Sequence, residues 1–195
     1  SHSPIQVVAD FSAGTLSDWQ QQSFQGDSLY QLEMQDGQRV LKATSKASAS
    51  ALYRHIEVDL TETPLLNWRW RVDTVDESLD PLQKAGDDYS ARIYVVKKGF
   101  WPWQTQALNY VWANSHSDLS HWPNPFTASA VMIPIQAGRD GLGGWHQQQV
   151  NIKADFKRYF NVSIDHIDGV AIMSDSDNSR GSTRAYIGSL YFSAE

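Results

Sequence analysis

Strict alternation is the feature that most constrains this chain. In residues 65–73, LLNWRWRVD, the apolar Leu66, Trp68, Trp70 and Val72 alternate with Asn67, Arg69, Arg71 and Asp73. An extended strand points successive side chains to opposite faces, so it can bury the first set and leave the second wet. YSARIYVVK repeats the pattern, with Ala91, Ile93 and Val95 on one face and Arg92, Tyr94 and Val96 on the other. Further strands are read in IQVVADF, SLYQLEM, RVLKATSK, SALYRHIEV, LNYVWA, SAVMIPIQ, WHQQQVNI, DGVAIMS and RAYIGSLYFSA. Asp36-Gly37 between two short runs signals a hairpin, and Gly138 to Gly144 a second break. A short helix is expected near Ala154 to Phe160. The polar stretch from Asp73 to Asp88 and the segment KKGFWPWQTQ read as loops. About eleven short strands, one helix and no βαβ alternation predict an all-β fold: an antiparallel β-sandwich of jelly-roll type with one short helix. Trp68 and Trp70 belong to its core, and residues 1–195 are expected to form one such domain.

Composition narrows the function classes. A chain of 195 residues, 41% of them hydrophobic, can build a substantial core. The formal charge of −6 argues against a nucleic-acid partner, which needs a basic stripe. The absence of cysteine excludes disulfides, thiolate metal sites and thiol nucleophiles, and suits cytoplasm and periplasm equally. No run of 18 apolar residues exists to form a spanning helix. The opening Ser1-His2-Ser3 is read either as the trace of a processed signal peptide or as a trimmed tag. Eight Trp, eight Tyr and seven Phe favour a sandwich core, exposed stacking platforms, or both.

Several catalytic patterns are absent. There is no Gly-x-Ser-x-Gly elbow, no phosphate loop and no His-Glu-x-x-His. His116 and His121, five apart in a polar loop, match neither a helix face nor a strand face and read as solvated. Asp175-x-Asp177-x-Ser179 begins like a calcium loop, but Arg180 stands where the glycine belongs and Tyr186 where the bidentate Glu belongs. EVDLTE, from Glu57 to Glu62, looks like the Glu-x-Asp-x-x-Glu strand of laminarinase-type glycoside hydrolases. Leu65, Leu66 and Asn67 replace the polar residues expected beyond it, and Pro64 cuts the strand, so a strand end entering a turn is the preferred reading.

The stretch AIMSDSDNSRGSTRAYIGSLYF raises the sharpest question. The apolar run Val170–Met173 reads as a central strand covered on both sides, and it surfaces in Ser174, Asp175, Ser176, Asp177 and Asn178. Arg92, mid-strand in an apolar segment, needs a carboxylate partner, for which Asp88 and Asp175 are the candidates. One reading is a buried Arg–Asp pair followed by an Asx-type turn at Asp177-Asn178. The other is a polar cleft lined by Asp88, Arg92, Asn109, Asp175, Asp177 and Asn178 beside Tyr94, Tyr110 and Trp112. Aromatic faces beside paired donors and acceptors suit a sugar. A carboxylate paired with Arg92 is expected to have its charged form favoured, which suits ligand binding better than acid catalysis.

The segments PLLNWRWRVD, AGDDYSARIYVV, LNYVWA, NPF, DGVAIMSDSDNS and AYIGSLYF, in this order, resemble the bacterial family of domain of unknown function 3047, from about residue 6 to the C-terminus. The resemblance implies a galactose-binding-like jelly roll close in outline to carbohydrate-binding modules, in periplasmic or secreted proteins, with no activity attached. It also implies that a structural calcium ion is possible, with Asp10 and the C-terminal strand as its place, and no other cofactor. Three functions stay open: a non-catalytic module for a glycan or similar polar ligand, a jelly-roll glycoside hydrolase or polysaccharide lyase, and a scaffold or assembly factor. The hydrolase would need two carboxyls about 5–9 Å apart, Glu57 with Glu62 or Asp88 with Asp175. The scaffold would expose an apolar patch, and FWPW is the first place to look.

Overall fold

A computed structural model describes residues 3–195; Ser1 and His2, part of the opening tripeptide read as a processing trace, lie outside the described residues. Two seven-stranded sheets face each other. The first contains β1 (Ile5–Ala9), β3 (Leu29–Gln35), β4 (Gln38–Lys46), β6 (Leu65–Val72), β11 (His146–Asn151), β13 (Ser182–Ile187) and β14 (Leu190–Ser193). The second runs in the order β2 (Gln20–Gln25), β5 (Ala49–Asp59), β12 (His166–Asp175), β7 (Arg92–Lys97), β8 (Gln106–Ala113), β10 (Ala130–Ala137) and β9 (Trp122–Pro123). No helix among the described residues is long and apolar enough to cross a membrane.

The alternation of β6 decides the core. Leu66, Trp68, Trp70 and Val72 are fully buried between the sheets. Trp68 meets Tyr110 of the opposite sheet at 5.8 Å between centroids, and Trp70 meets Trp112 at 6.1 Å. The expected β-sandwich is therefore observed, with three departures. β8 and β10 pair in parallel, because residues 114–129 cross back over the sheet edge and carry β9 on the way. The last expected strand breaks at Gly188-Ser189 into β13 and β14, which follow the same edge of β6 in turn. β2, QQQSFQ, lies at the edge of the second sheet with every residue exposed, so it has no buried face for an apolar pattern to mark.

The turns follow their chemistry. Asp36 and Gly37, with φ of 51° and 81°, join β3 to β4 in a two-residue hairpin, where the first-type primed turn needs positive φ at both positions. The helix α1 (Ile152–Phe160) starts two residues before the expected Ala154 because the Asn151 side chain caps it, accepting the Ala154 N–H at 2.9 Å. Its Ile152 and Phe156 enter the core. The two segments read as loops hold only short 3-10 turns, at Lys84–Gly86 and Pro102–Gln104.

Candidate functional site

The outer face of the second sheet carries the site. β12 is central, as expected, between β5 and β7. No second sheet lies over its outward residues: Ala171 and Met173, with Ala49 and Ala51 of β5, floor a groove of about 440 Å³. Tyr53 and Tyr94 flank Ala171 in register from the two neighbouring strands. Phe24 of edge strand β2 and Phe126 of the loop before β10 complete the walls, 58% and 53% exposed. The apolar run is buried on both faces, as expected, but Ala171 and Met173 on its outer face lie beneath the side chains that wall the groove and not beneath a second sheet.

One end of the groove is polar. Arg92 leaves the outer face of β7 beside Met173 and is almost fully buried. Its Nη2 donates to Asp175 Oδ2, and its Nη1 donates to Asp87 Oδ1 at 3.2 Å. Asp175 Oδ1 accepts the Tyr89 N–H at 3.2 Å, and Asn124 Nδ2 donates to Asp87 Oδ1 at 3.1 Å. The guanidinium carbon lies 5.0 Å from the Tyr89 ring centroid and 5.7 Å from that of Tyr94, so its remaining faces meet π density. Arg92 Nε has no acceptor. Asp177 and Asn178 line the same end, and Asp177 Oδ1 is buried without a donor. The stretch that ends β12 is therefore both a turn and part of the groove.

Of the residues expected in one cleft, Arg92, Tyr94, Asp175, Asp177 and Asn178 come together. Asp88 does not line the groove: Asp87 takes the place beside Arg92. The Asp88 carboxylate accepts the Ser179 N–H at 2.6 Å and the Asn178 N–H at 3.4 Å, fixing the turn instead. Tyr110 and Trp112 face the inter-sheet core. Tyr94 pairs with Asn109 across β7 and β8, which puts Tyr110 opposite Ile93 on the inner face. Tyr110 donates its hydroxyl to Asp155 at 2.6 Å, and Trp112 donates Nε1–H to the Gly138 carbonyl at 3.0 Å. Asn109 shares the outer face with Tyr94 but is fully buried, with Nδ2 against Met132 Sδ at 3.2 Å. Asp87, Asn124, Phe24, Tyr53 and Phe126 were not expected. The doublet Asp87-Asp88 and the NPF segment were the available signals for three of them.

Electrostatics at this end differ from the simple pairing argument. Burial pushes the Asp175 carboxyl well up; the Arg92 guanidinium opposes this, while Asp88 and Asp87 add to it. The charged form is thus favoured by Arg92 but not by the site as a whole. Burial and the neighbouring Asp88 carboxylate also raise Asp177. Burial raises the Tyr94 hydroxyl to about 12, so this ring stays neutral.

A calcium ion fits poorly here. Carboxylate oxygens of Asp88, Asp175 and Asp177 lie within 4.8 Å of one another. Both Asp175 oxygens are already engaged by Arg92 and Tyr89, and both Asp88 oxygens by backbone N–H groups. Calcium needs six to eight oxygen ligands and would sit against a guanidinium. Asp10, the expected calcium ligand, belongs to neither group of three acidic or histidine side chains found among the described residues. Its Oδ1 accepts the Ser12 N–H at 3.1 Å and caps a 3-10 turn.

Other candidates fall away on geometry. Glu57 is exposed on β5, whereas Glu62 lies in the turn beyond the strand end, where Asp59 accepts the Thr61 N–H at 2.9 Å. His116 is exposed and pairs with exposed Asp140 at 3.0 Å. These two help line a larger cavity of about 580 Å³ near Trp122 and Tyr159, whose charged side chains are all exposed.

A family model described as "Protein of unknown function (DUF3047)" matches residues 17–191. No curated protein matches the chain. Among solved structures, the family 11 carbohydrate-binding module from Clostridium thermocellum, in complex with a beta-1,3-1,4-mixed-linked tetrasaccharide, superposes with a TM-score of 0.54 at 9% identity, covering 98% of this chain and 96% of that one. The family 11 module of the cellulosomal cellulase Lic26A-Cel5E of the same organism gives 0.54 at 10% identity, covering 98% and 95%. At such identities the likeness is one of fold.

Proposed function

The chain belongs to the DUF3047 family, and from that premise we propose that residues 1–195 act as one extracytoplasmic, non-catalytic module, periplasmic or secreted, that binds a carbohydrate in the groove on the outer face of the second sheet. The observation that carries this reading is the groove's composition along its length. A floor of Ala49, Ala51, Ala171 and Met173 and the rings of Tyr53 and Tyr94 offer stacking surface, while the hydrogen-bonded network of Arg92, Asp87, Asp175 and Asn124 makes one end polar. The carbohydrate-binding fold of the two Clostridium modules supports it. A non-catalytic role is supported by the engagement of both Asp175 oxygens, which leaves that buried carboxyl no free oxygen for a substrate proton.

A glycan array, followed by titration calorimetry on each hit, tests the reading. Binding should be lost in Tyr94→Ala while the melting temperature stays near that of the parent. A blank array, or binding unaffected by Tyr94→Ala, removes the groove from consideration.

One observation favours a second reading, that of a scaffold. The tip between β7 and β8 exposes Phe100 at 86% and Trp103 at 73%, and the Trp101 and Trp103 rings stack with planes 3° apart. An ordered apolar tip of this kind suits a protein partner. Replacing Trp101 and Trp103 together should then abolish a pull-down that Tyr94→Ala leaves intact.

A further inference from the structure

We propose that a second ligand site, which takes a tetrahedral oxyanion either as the ion or as an ester, lies between Arg39 of β4 and Arg69 of β6. A cavity of about 480 Å³ is lined there by both arginines with Asp10, Ser12, Gln38 and Ser189, none of which lines the groove. Three interruptions of the strands meet at this place. They are the 3-10 turn Phe11–Ala13 that Asp10 caps, the hairpin from β3 to β4, and the break at Gly188-Ser189.

Charge is the first argument. In a chain of net charge −6, arginines such as Arg54, Arg71 and Arg139 find carboxylates. Neither Arg39 nor Arg69 has a carboxylate partner among the described residues. Asp10 stands in the same cavity, but its Oδ1 accepts the Ser12 N–H at 3.1 Å and the Ser12 hydroxyl as well. Two guanidinium groups against one carboxylate leave the cavity positive.

Placement is the second argument. Arg39 Nη1 donates to the Ser12 carbonyl at 3.1 Å and lies over Gly14, where a Cβ would come within 2.7 Å of it. Arg69 Nη2 donates to the Gln38 side-chain oxygen, and its guanidinium carbon lies 4.4 Å from the Trp145 ring centroid. The Arg69 stem crosses Gly188, where a Cβ would stand 2.5 Å from Cγ and Nε. Each fork spends one N–H on its anchor and keeps others for a ligand. A ligand can reach them, since Arg39 is exposed and Arg69 half-buried. Holding the forks in advance lowers the ordering cost of binding.

Geometry then selects the anion. A carboxylate presents its oxygens in one plane and matches a single fork. A sulfate or phosphate group presents oxygens out of one plane, so it can accept from forks that arrive from two strands.

Nuclear magnetic resonance titration of the whole chain tests the site with inorganic sulfate, glucose 6-sulfate, glucuronate and glucose, at one ionic strength held by sodium chloride. Sulfate should shift the backbone amide signals of Gln38, Arg39, Arg69 and Ser189 saturably, and glucose should not. Equal affinity for inorganic sulfate and the ester makes the ion itself the ligand, whereas tighter binding of the ester assigns the site to a sulfated sugar. Arg39→Gln and Arg69→Gln should each weaken sulfate binding about tenfold, the worth of one charge-assisted contact. Arg180→Gln, which removes an exposed arginine outside the cavity, should leave it unchanged. Arg39→Gln should also keep the parent's melting temperature, so that its loss of binding is not a loss of fold. Glucuronate binding as tightly as glucose 6-sulfate overturns the tetrahedral group. No shift of these amides under sulfate, or an equal loss in Arg180→Gln, overturns the site. Neither result depends on the glycan array, so this site stands or falls apart from the groove.

Discussion

The inner and outer faces of β7, β8 and β12 are made by alternate residues of the same strands, and they could hardly differ more. Inward go Ile93, Val95, Leu108, Tyr110, Trp112, Val170 and Ile172, large side chains that interlock with the Trp68 and Trp70 layer. Outward go Arg92, Tyr94, Asn109, Ala171 and Met173, where Ala171 leaves room between Tyr53 and Tyr94 and polar residues gather around Arg92. The difference teaches that hydrophobicity by itself does not identify a core face. Val170 to Met173 is apolar throughout, yet only Val170 and Ile172 join the inter-sheet core. What separates the two roles is the packing partner: Val170 and Ile172 join the inter-sheet core, whereas Met173 packs with Ala49, Ala51 and Tyr94 of its own sheet.

Substitutions can break this comparison. The largest effect is expected on the inner face. Trp112→Ala empties the inter-sheet layer and leaves the Gly138 carbonyl unpaired, at a cost toward the top of about 3–5 kcal/mol. Chemical denaturation should show it, and a loss below about 1 kcal/mol would mean that the core tolerates voids here. Arg92→Ala tests whether the outer face is structural at any point. It strands two buried carboxylates, and a cost at the lower end of about 3–5 kcal/mol is expected because the groove lets water reach them. Stability unchanged in Arg92→Ala would make the polar end purely a binding device.

The same contrast explains what could be read from the sequence. Trp68 and Trp70 were legible because β6 carries polar residues on its other face, so period two stands out. β12 was legible as a strand but not as a groove floor, since both of its faces are apolar. Tyr110 and Trp112 were assigned to the cleft although Asn109 lies between them and Tyr94 in parity; only the pairing Tyr94 to Asn109 decides which face they take. The choice of Asp87 over Asp88 beside Arg92 depends on how one irregular segment turns, which no period encodes. Phe24 sits in a glutamine-rich edge strand that has no inward face, so its place on the groove wall follows from tertiary pairing with β5 alone.

A milder intervention sharpens the outer face itself. Phe24→Ala and Phe126→Ala remove exposed rings from the walls, so stability should stay within about 0.5 kcal/mol of the parent. Glycan affinity should fall in both, as read by calorimetry. Lower stability with intact binding would reverse the roles given to these rings.

The smallest effect is the most discriminating, because it separates a charge kept for a ligand from one kept for the fold. The Asp177 carboxyl is raised in the folded chain by burial and by Asp88. Below the ordinary carboxylate pKa both folded and unfolded chains hold this proton, and Asp177 contributes nothing. As pH rises from there through the raised folded value, the unfolded chain releases its proton first, so stability falls. Above that window the full repulsion between Asp177 and Asp88 remains. Asp177→Asn should therefore match the parent at acid pH and melt slightly higher at neutral pH, while its affinity for any glycan that the array identifies drops. Residues that serve the fold do not behave this way, since losing them lowers stability. A lower melting temperature for Asp177→Asn at neutral pH would return this residue to the structural side of the comparison, as a member of the turn that holds Asn178 and Ser179 against Asp88.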